Sequence, residues 1–300
     1  MSLTPVPSPA RARADDAAHL VLTLSCPDRA GIIQTVSTFV FDHGGNVVES
    51  QQYGDRRTGR FFMRVQFEAA GDALPDPEVL RGDFGRIADS FGMAWRLTDA
   101  RARQRVLIMV SKFGHCLNDL LYRASTGALG IDVVAVVSNH PDLRPLAEHN
   151  DVPFHHIPVT AETKPAAERR LLELVEDLDV DLVVLARYMQ VLSEDLCKQL
   201  EGRAINIHHS MLPSFKGARP YHQAYDRGVK LVGATAHYVT TDLDEGPIIE
   251  QELARIDHSM SADEVSARGR DTECLALARA VHWHTTNRVL LDEHRTVVFT

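Results

Sequence analysis

Residues 106–110 read VLIMV, residues 133–137 read VVAVV and residues 182–185 read LVVL. None of these runs offers a polar side chain to water. Strands buried on both faces have that composition, as in a parallel sheet covered by helices. Segments of helical period lie between the runs, and in one of them Leu171, Leu174, Val175 and Leu178 share a face. The alternation predicts βαβ units and a mostly parallel, doubly wound α/β sheet over residues 104–300. Further along, residues 204–207 read as a short strand followed by a long loop, 209–218. Residues 231–240 and 247–256 read as strands. A final helix is predicted from Ser261, which forms a capping-box pattern with Glu264, and Cys274, Leu277, Ala278 and Val281 make its apolar stripe.

The chain ahead of residue 104 obeys a different pattern. Residues 20–26 read as a strand, and Asp28 offers a carboxylate to cap the next helix. In that helix Ile32, Val36, Phe39 and Val40 share one face, and Gly44-Gly45 stops it. Residues 46–53 read as a strand and 54–59 as a turn. Residues 60–67 alternate, with Phe61, Met63, Val65 and Phe67 on one side. A second helix is predicted near 76–91 and a last strand near 93–98. The order βαββαβ implies a ferredoxin-like sandwich over residues 19–99, with a polar linker at 98–104. Residues 1–18, with Pro5, Pro7 and Pro9 and no apolar periodicity, read as a disordered tail.

The length of 300 residues fits about two domains. The formal net charge of −9 argues against nonspecific nucleic-acid binding, which needs a cationic surface. The four cysteines stand at 26, 116, 197 and 274, too far apart for a CxxC pair, and read as free thiols in a reducing compartment. No apolar run approaches ~18 residues, so no membrane span is expected. The amino end lacks a signal-peptide core, and a cytoplasmic location is the expectation.

In open α/β sheets chemistry sits at the carboxyl ends of strands, which directs attention to the segments after Val110, after Ile207 and around 240–246. Asn206 and His208 are two apart and share a strand face. An amide donor beside an imidazole suits acyl chemistry: the amide holds a carbonyl oxygen as it gains charge, and the imidazole moves a proton. The same pair reads equally as a locally satisfied Asn and His at a strand end. The neighbouring His208 and His209 invite a metal, but no HExxH is present and adjacent strand residues point apart, so no metal is expected. In TDLDEGP, residues 241–247, three carboxylates cluster between two strands. They make either a solvated acidic turn or, through Asp244, a partner that orients His208.

The stretch INIHHSMLPSFKGARPYHQAY, followed by GATAHYVTTDLDEGPII, resembles the formyltetrahydrofolate-dependent formyltransferase family. The likeness runs from about residue 104 to 300 and implies a Rossmann-like domain. LSCPDRAGIIQTVSTFVFDHGGNVVES resembles an ACT domain, and that fusion is the arrangement of the family's hydrolytic branch. The resemblance implies that Asn206, His208 and Asp244 are catalytic. It implies a substrate, 10-formyltetrahydrofolate, converted by water to tetrahydrofolate and formate, with no cofactor. It places the folate pocket along 185–192, with Arg187, Met189, Gln190, Val191 and Leu192 as contacts, the main chain of Gln190 and Leu192 binding the pterin edge. It adds His237, and a closing loop with Thr240, Thr241, Asp242 and Leu243. For the ACT domain it implies an amino-acid effector at Asp28, Arg29 and Gly31; the same turn reads as a helix cap with a close-packed glycine. A homo-oligomer, a dimer of dimers, is expected, with a role in one-carbon balance and purine supply.

The transferase relatives carry a glycine-rich loop after the first strand for an acceptor phosphate. Here that turn reads SKFGHCLN, residues 111–118, with one glycine, a Phe and a His. Lys112 and His115 read either as holders of a small anion or as an exposed Lys and a satisfied His. The tRNA-modifying relatives carry an extra carboxyl-terminal domain and basic surface, whereas this chain reads as ending near its last helix. The rival of another class is a folate-binding sensor without turnover.

Overall fold

The computed structural model describes residues 19–71, 73–212 and 220–300. The expected tail at 1–18 and residues 213–218 of the expected loop lie outside them. The chain divides into two compact units, with the division between Ala102 and Arg103.

The first unit contains β1 (His19–Pro27), α1 (Ile32–Asp42), β2 (Gly45–Asp55), β3 (Arg60–Ala69), α2 (Pro77–Phe91) and β4 (Ala94–Asp99). Its sheet has the order β2-β3-β1-β4, and β1 runs antiparallel to both β3 and β4. The alternating side chains of β3 put Phe61, Met63, Val65 and Phe67 into one core with Ile32, Val36, Phe39 and Phe84 from the helices. Asp76 caps α2 by accepting from the Glu78 N–H at 2.7 Å, and Gly92 ends it in the left-handed region. The expected cap by Asp28 is not made. α1 starts after Gly31 (φ 97°), which supplies no side-chain cap, and the Asp28 N–H donates to the Gly59 carbonyl in the β2–β3 turn.

The second unit contains β5 (Gln104–Val110), α3 (His115–Ser125), β6 (Ile131–Ser138), α4 (Arg144–His149), β7 (Phe154–His156), α5 (Lys164–Asp177), β8 (Leu182–Leu185), α6 (Glu194–Gln199) and β9 (Ala204–His208). It continues with α7 (Pro220–Asp226), β10 (Leu231–Tyr238), β11 (Ile248–Arg255), α8 (Ala262–Thr285), β12 (Val289–Asp292) and β13 (Arg295–Val298). The main sheet runs β11-β10-β9-β8-β5-β6-β7. The five strands from β5 to β9 are parallel, while β10 and β11 are antiparallel additions at one edge. The three apolar runs are β5, β6 and β8, covered on one face by the Leu117, Leu120 and Leu277 core and on the other by Leu171, Leu174 and Val175. Ser261 and Glu264 form the expected capping box of α8. The closing hairpin of β12 and β13 was not expected from the sequence.

Candidate active site

β8 and β9 run side by side with Leu185 opposite Asn206. β10 returns antiparallel, so His237 faces Asn206 and Thr235 faces His208. Register alone therefore places Asn206 and His237 on one sheet face, and Asn206 Nδ2 donates to His237 Nε2 at 3.3 Å. The tautomer follows from the other ring nitrogen: His237 Nδ1–H donates to the Tyr238 carbonyl at 2.8 Å, leaving Nε2 to accept.

The carboxyl end of β10 lies beside the start of β9, not beside His208. The loop after β10 must therefore fold back along the sheet to bring Asp244 to the imidazole. It does so: His208 Nδ1 lies 3.3 Å from Asp244 Oδ1, and His237 Nε2 lies 3.7 Å from the same oxygen. The turn-back has two visible costs. Asp244 adopts φ 57°, a left-handed conformation unusual outside glycine. At Gly246 the chain passes so near β10 that an added Cβ would stand 1.8 Å from the Tyr238 carbonyl oxygen, so only glycine fits. The hydrogen bond with His208 holds the Asp244 carboxyl well below the usual carboxylate range, against the opposing effect of burial. The imidazole of His208 is buried and its Nε2 has no hydrogen-bond partner. An orphaned ring nitrogen beside a paired carboxylate is a reactive arrangement.

One cavity of about 290 Å³ takes in all three of these groups. It is also lined by Arg187, Met189, Gln190, Val191 and Leu192, by His237, and by Thr240, Thr241, Asp242 and Leu243. The residues singled out around the folate pocket thus meet in one place. The segment carrying Met189 is anchored from below by a group that the sequence did not reveal. Ser111 Oγ accepts from the Met189 N–H at 2.9 Å and donates to Asn139 Oδ1 at 2.7 Å, with Ser111 and Asn139 buried just past the ends of β5 and β6. Its one sequence signal was position, directly after the first apolar run.

His209 lies just past the end of β9, so it does not point away from His208 as a strand neighbour would; the ring centroids are 5.1 Å apart. Burial first, then the charge of Arg187, pushes its pKa down to about 4. Beyond it lies Glu273, 1 % exposed, which receives His115 Nε2 and the Tyr221 hydroxyl at 2.7 Å each, with Arg187 Nε 3.3 Å away. The expected apolar stripe of α8 is corrected here: Cys274 is only partly buried, while Glu273 is in the core. Of the two readings at 112 and 115, His115 is a satisfied histidine bound to Glu273, and Lys112 is exposed. His115, Cys116 and Glu273 bring three donor atoms within 4.8 Å of one another. A cation is opposed there by Arg187, and the Cys116 thiol is held protonated by its hydrogen bond with Cys274 and by burial.

In the first unit, Asp28, Arg29 and Gly31 are all exposed. The Arg29 guanidinium donates to the Ser90 carbonyl and lies 4.0 Å from the Phe91 ring centre, at the far end of α2.

Residues 104–281 match the formyl transferase family and residues 20–81 the ACT domain family. The chain is 54 % identical over 279 residues to formyltetrahydrofolate deformylase of Corynebacterium sp. (strain P-1), covering 93 % of this chain and 97 % of that one. The chain belongs to the formyltetrahydrofolate deformylase family. The crystal structure of the deformylase from Burkholderia mallei superposes with a TM-score of 0.90 at 52 % identity, covering 94 % of this chain and all of the other. A glycinamide ribonucleotide transformylase from Symbiobacterium toebii superposes with a TM-score of 0.63 at 27 % identity, covering 66 % of this chain and 95 % of that one. The transferase likeness thus covers about two thirds of this chain, whereas the deformylase likeness spans both units.

Proposed function

We propose that the protein hydrolyses 10-formyltetrahydrofolate to tetrahydrofolate and formate, with Asn206, His208 and Asp244 as the catalytic groups. The observation that carries this reading is the buried, unpartnered Nε2 of His208, whose other nitrogen faces the Asp244 carboxylate inside the cavity shared with Asn206. His208 Nε2 takes a proton from the attacking water, and Asp244, held ionised, stabilises the imidazolium that results. Asn206 has two amide hydrogens; one goes to His237 and the other serves the oxyanion that forms on the formyl oxygen. The imidazolium then returns its proton to N10 as the C–N bond breaks. No step requires a metal or a cofactor. The folate lies along residues 187–192, with the loop at 240–243 closing over it.

The same reading places the enzyme in the cytoplasm, as a homo-oligomer and, by proposal, a tetramer, with formate release balancing one-carbon pools and feeding purine synthesis. No helix among the described residues is long and apolar enough to cross a membrane. The net charge of −9 speaks against nucleic acid as a partner. For the ACT domain we propose an amino-acid effector at Asp28, Arg29 and Gly31, held by main-chain N–H groups at the start of α1 and by the N–H groups of Arg29 other than the one donated to the Ser90 carbonyl.

The deciding experiment is turnover of 10-formyltetrahydrofolate with no acceptor added. Stoichiometric formate and tetrahydrofolate are expected. Conversion only in the presence of an amine acceptor overturns the reading in favour of a transferase, and tight binding without conversion in favour of a sensor.

A further inference from the structure

Arg187 lines the site beside the folate segment, and no chemical step of the scheme above uses its charge. It follows β8 at φ 67°, and its side chain is nine-tenths buried, with 10 % exposure. Nε lies against Glu273, yet neither Nε nor Nη1 makes a hydrogen bond. Glu273 does not need it: both carboxylate oxygens already accept, one from His115 and one from Tyr221. Burial pushes the Glu273 carboxyl up, but the His115 hydrogen bond and the Arg187 charge bring it below its ordinary value, so it is a carboxylate. The guanidinium thus has a counter-charge at its Nε side and buried Nη1 donors on its other side with nothing to receive them. Buried donors without acceptors are rare in folded proteins, and each calls for an explanation.

Arg187 also lines the cavity of Asn206, His208 and Asp244. Among the described residues that line it, Arg187 is the one permanent cation, against the carboxylates of Asp242 and Asp244. The proposed reaction creates an anion in that space. Water oxygen bonds to the formyl carbon, the C–N10 bond breaks, one water proton ends on N10 and the other is released. The neutral formamide and water become a secondary amine, formate and a proton. Formate formed beside Asp244 is repelled by it, and the nearest fixed positive charge in the cavity belongs to Arg187.

We infer that Arg187 is the formate site, its guanidinium receiving the product carboxylate and drawing it away from Asp244. The inference rests on the hydrolytic reading. A second carboxylate has the same chemistry, the glutamate tail of the folate, and the test separates the two.

The line width of ¹³C-formate is titrated with the full-length enzyme and with Arg187→Gln, and binding of p-aminobenzoylglutamate is measured on both by calorimetry. A ligand of three heavy atoms binds in the millimolar range at best. Saturable broadening by the wild type is expected, weakened at least about tenfold in Arg187→Gln, the loss of a charge-assisted carboxylate contact. Binding of p-aminobenzoylglutamate should weaken by much less than formate binding does. No saturable broadening with the wild type overturns the assignment, as does equal formate affinity in the variant. Loss of p-aminobenzoylglutamate alone reassigns Arg187 to the substrate tail. Should Arg187→Gln not fold, a formate soak of wild-type crystals decides: formate within hydrogen-bond distance of the Arg187 guanidinium supports the assignment, and formate elsewhere or nowhere overturns it. An enzyme that releases no formate without an acceptor removes the hydrolytic reading and this inference together. One that releases formate but does not bind it removes this inference alone.

Discussion

Asn206 and Asp244 do different work, and their variants separate it. Asn206→Ala removes a donor to the developing oxyanion, so kcat is expected to fall by about 10²–10³ with little change in folate affinity. Asp244→Asn keeps the shape but removes the charge that an imidazolium needs and unsettles the tautomer of His208, so a larger loss, about 10³–10⁴ in kcat, is expected. Steady-state kinetics of both variants checks the order. If Asp244→Asn retains near-normal hydrolysis, Asp244 is only a turn residue. The sequence could name these groups by resemblance and place Asn206 and His208 on one face by parity. It could not show the 3.3 Å approach of Asp244, because that contact depends on a loop folding back across a strand of opposite direction.

That loop is where the elements carry the argument. Gly246 lets the segment between β10 and β11 pass against the backbone of β10, two residues after Asp244. Gly246→Ala brings a methyl group onto a carbonyl oxygen, and a backbone oxygen cannot step aside as a flexible side chain would. The loop must lift, at a cost of about 1–3 kcal/mol, and carry Asp244 away from His208. A lowered Tm together with a fall in kcat is expected from calorimetry and kinetics on the same preparation. A lowered Tm with unchanged kcat would show that Asp244 holds its place by other means. Elsewhere the elements were legible where one rule sufficed. Double-sided burial leaves a solid apolar run, and β5, β6 and β8 have it. α8 was legible only in part, because it packs against β10 and β11 as well as α3 and α7. A helix with several buried sides loses its single stripe, and a carboxylate such as Glu273 enters the core once tertiary partners supply its donors. Asp28 is not the cap because α1 begins only after Gly31, three residues further on.

At the scale of the whole molecule, stability as a function of pH adds up every group whose proton affinity changes on folding, and His209 makes an isolable contribution. Burial and the Arg187 charge bring its pKa down from an ordinary 6.5 to about 4 in the folded state. Between those values the unfolded chain binds the proton and the folded chain does not. Stability therefore rises with pH across that window and is lost as pH falls from 6.5 toward 4. The gap of about 2.5 units corresponds to about 3 kcal/mol at the acid side, enough to matter against a total of about 5–15 kcal/mol. His209→Gln removes the titration while keeping a polar side chain of similar size. Urea unfolding of both proteins at several pH values from 7 to 4 is the measurement. The stability difference between them should shift in favour of the variant as pH falls, by about 3 kcal/mol in all. Parallel curves would mean that His209 takes up its proton in the folded protein as readily as in the unfolded chain, and that Arg187 does not bear on it.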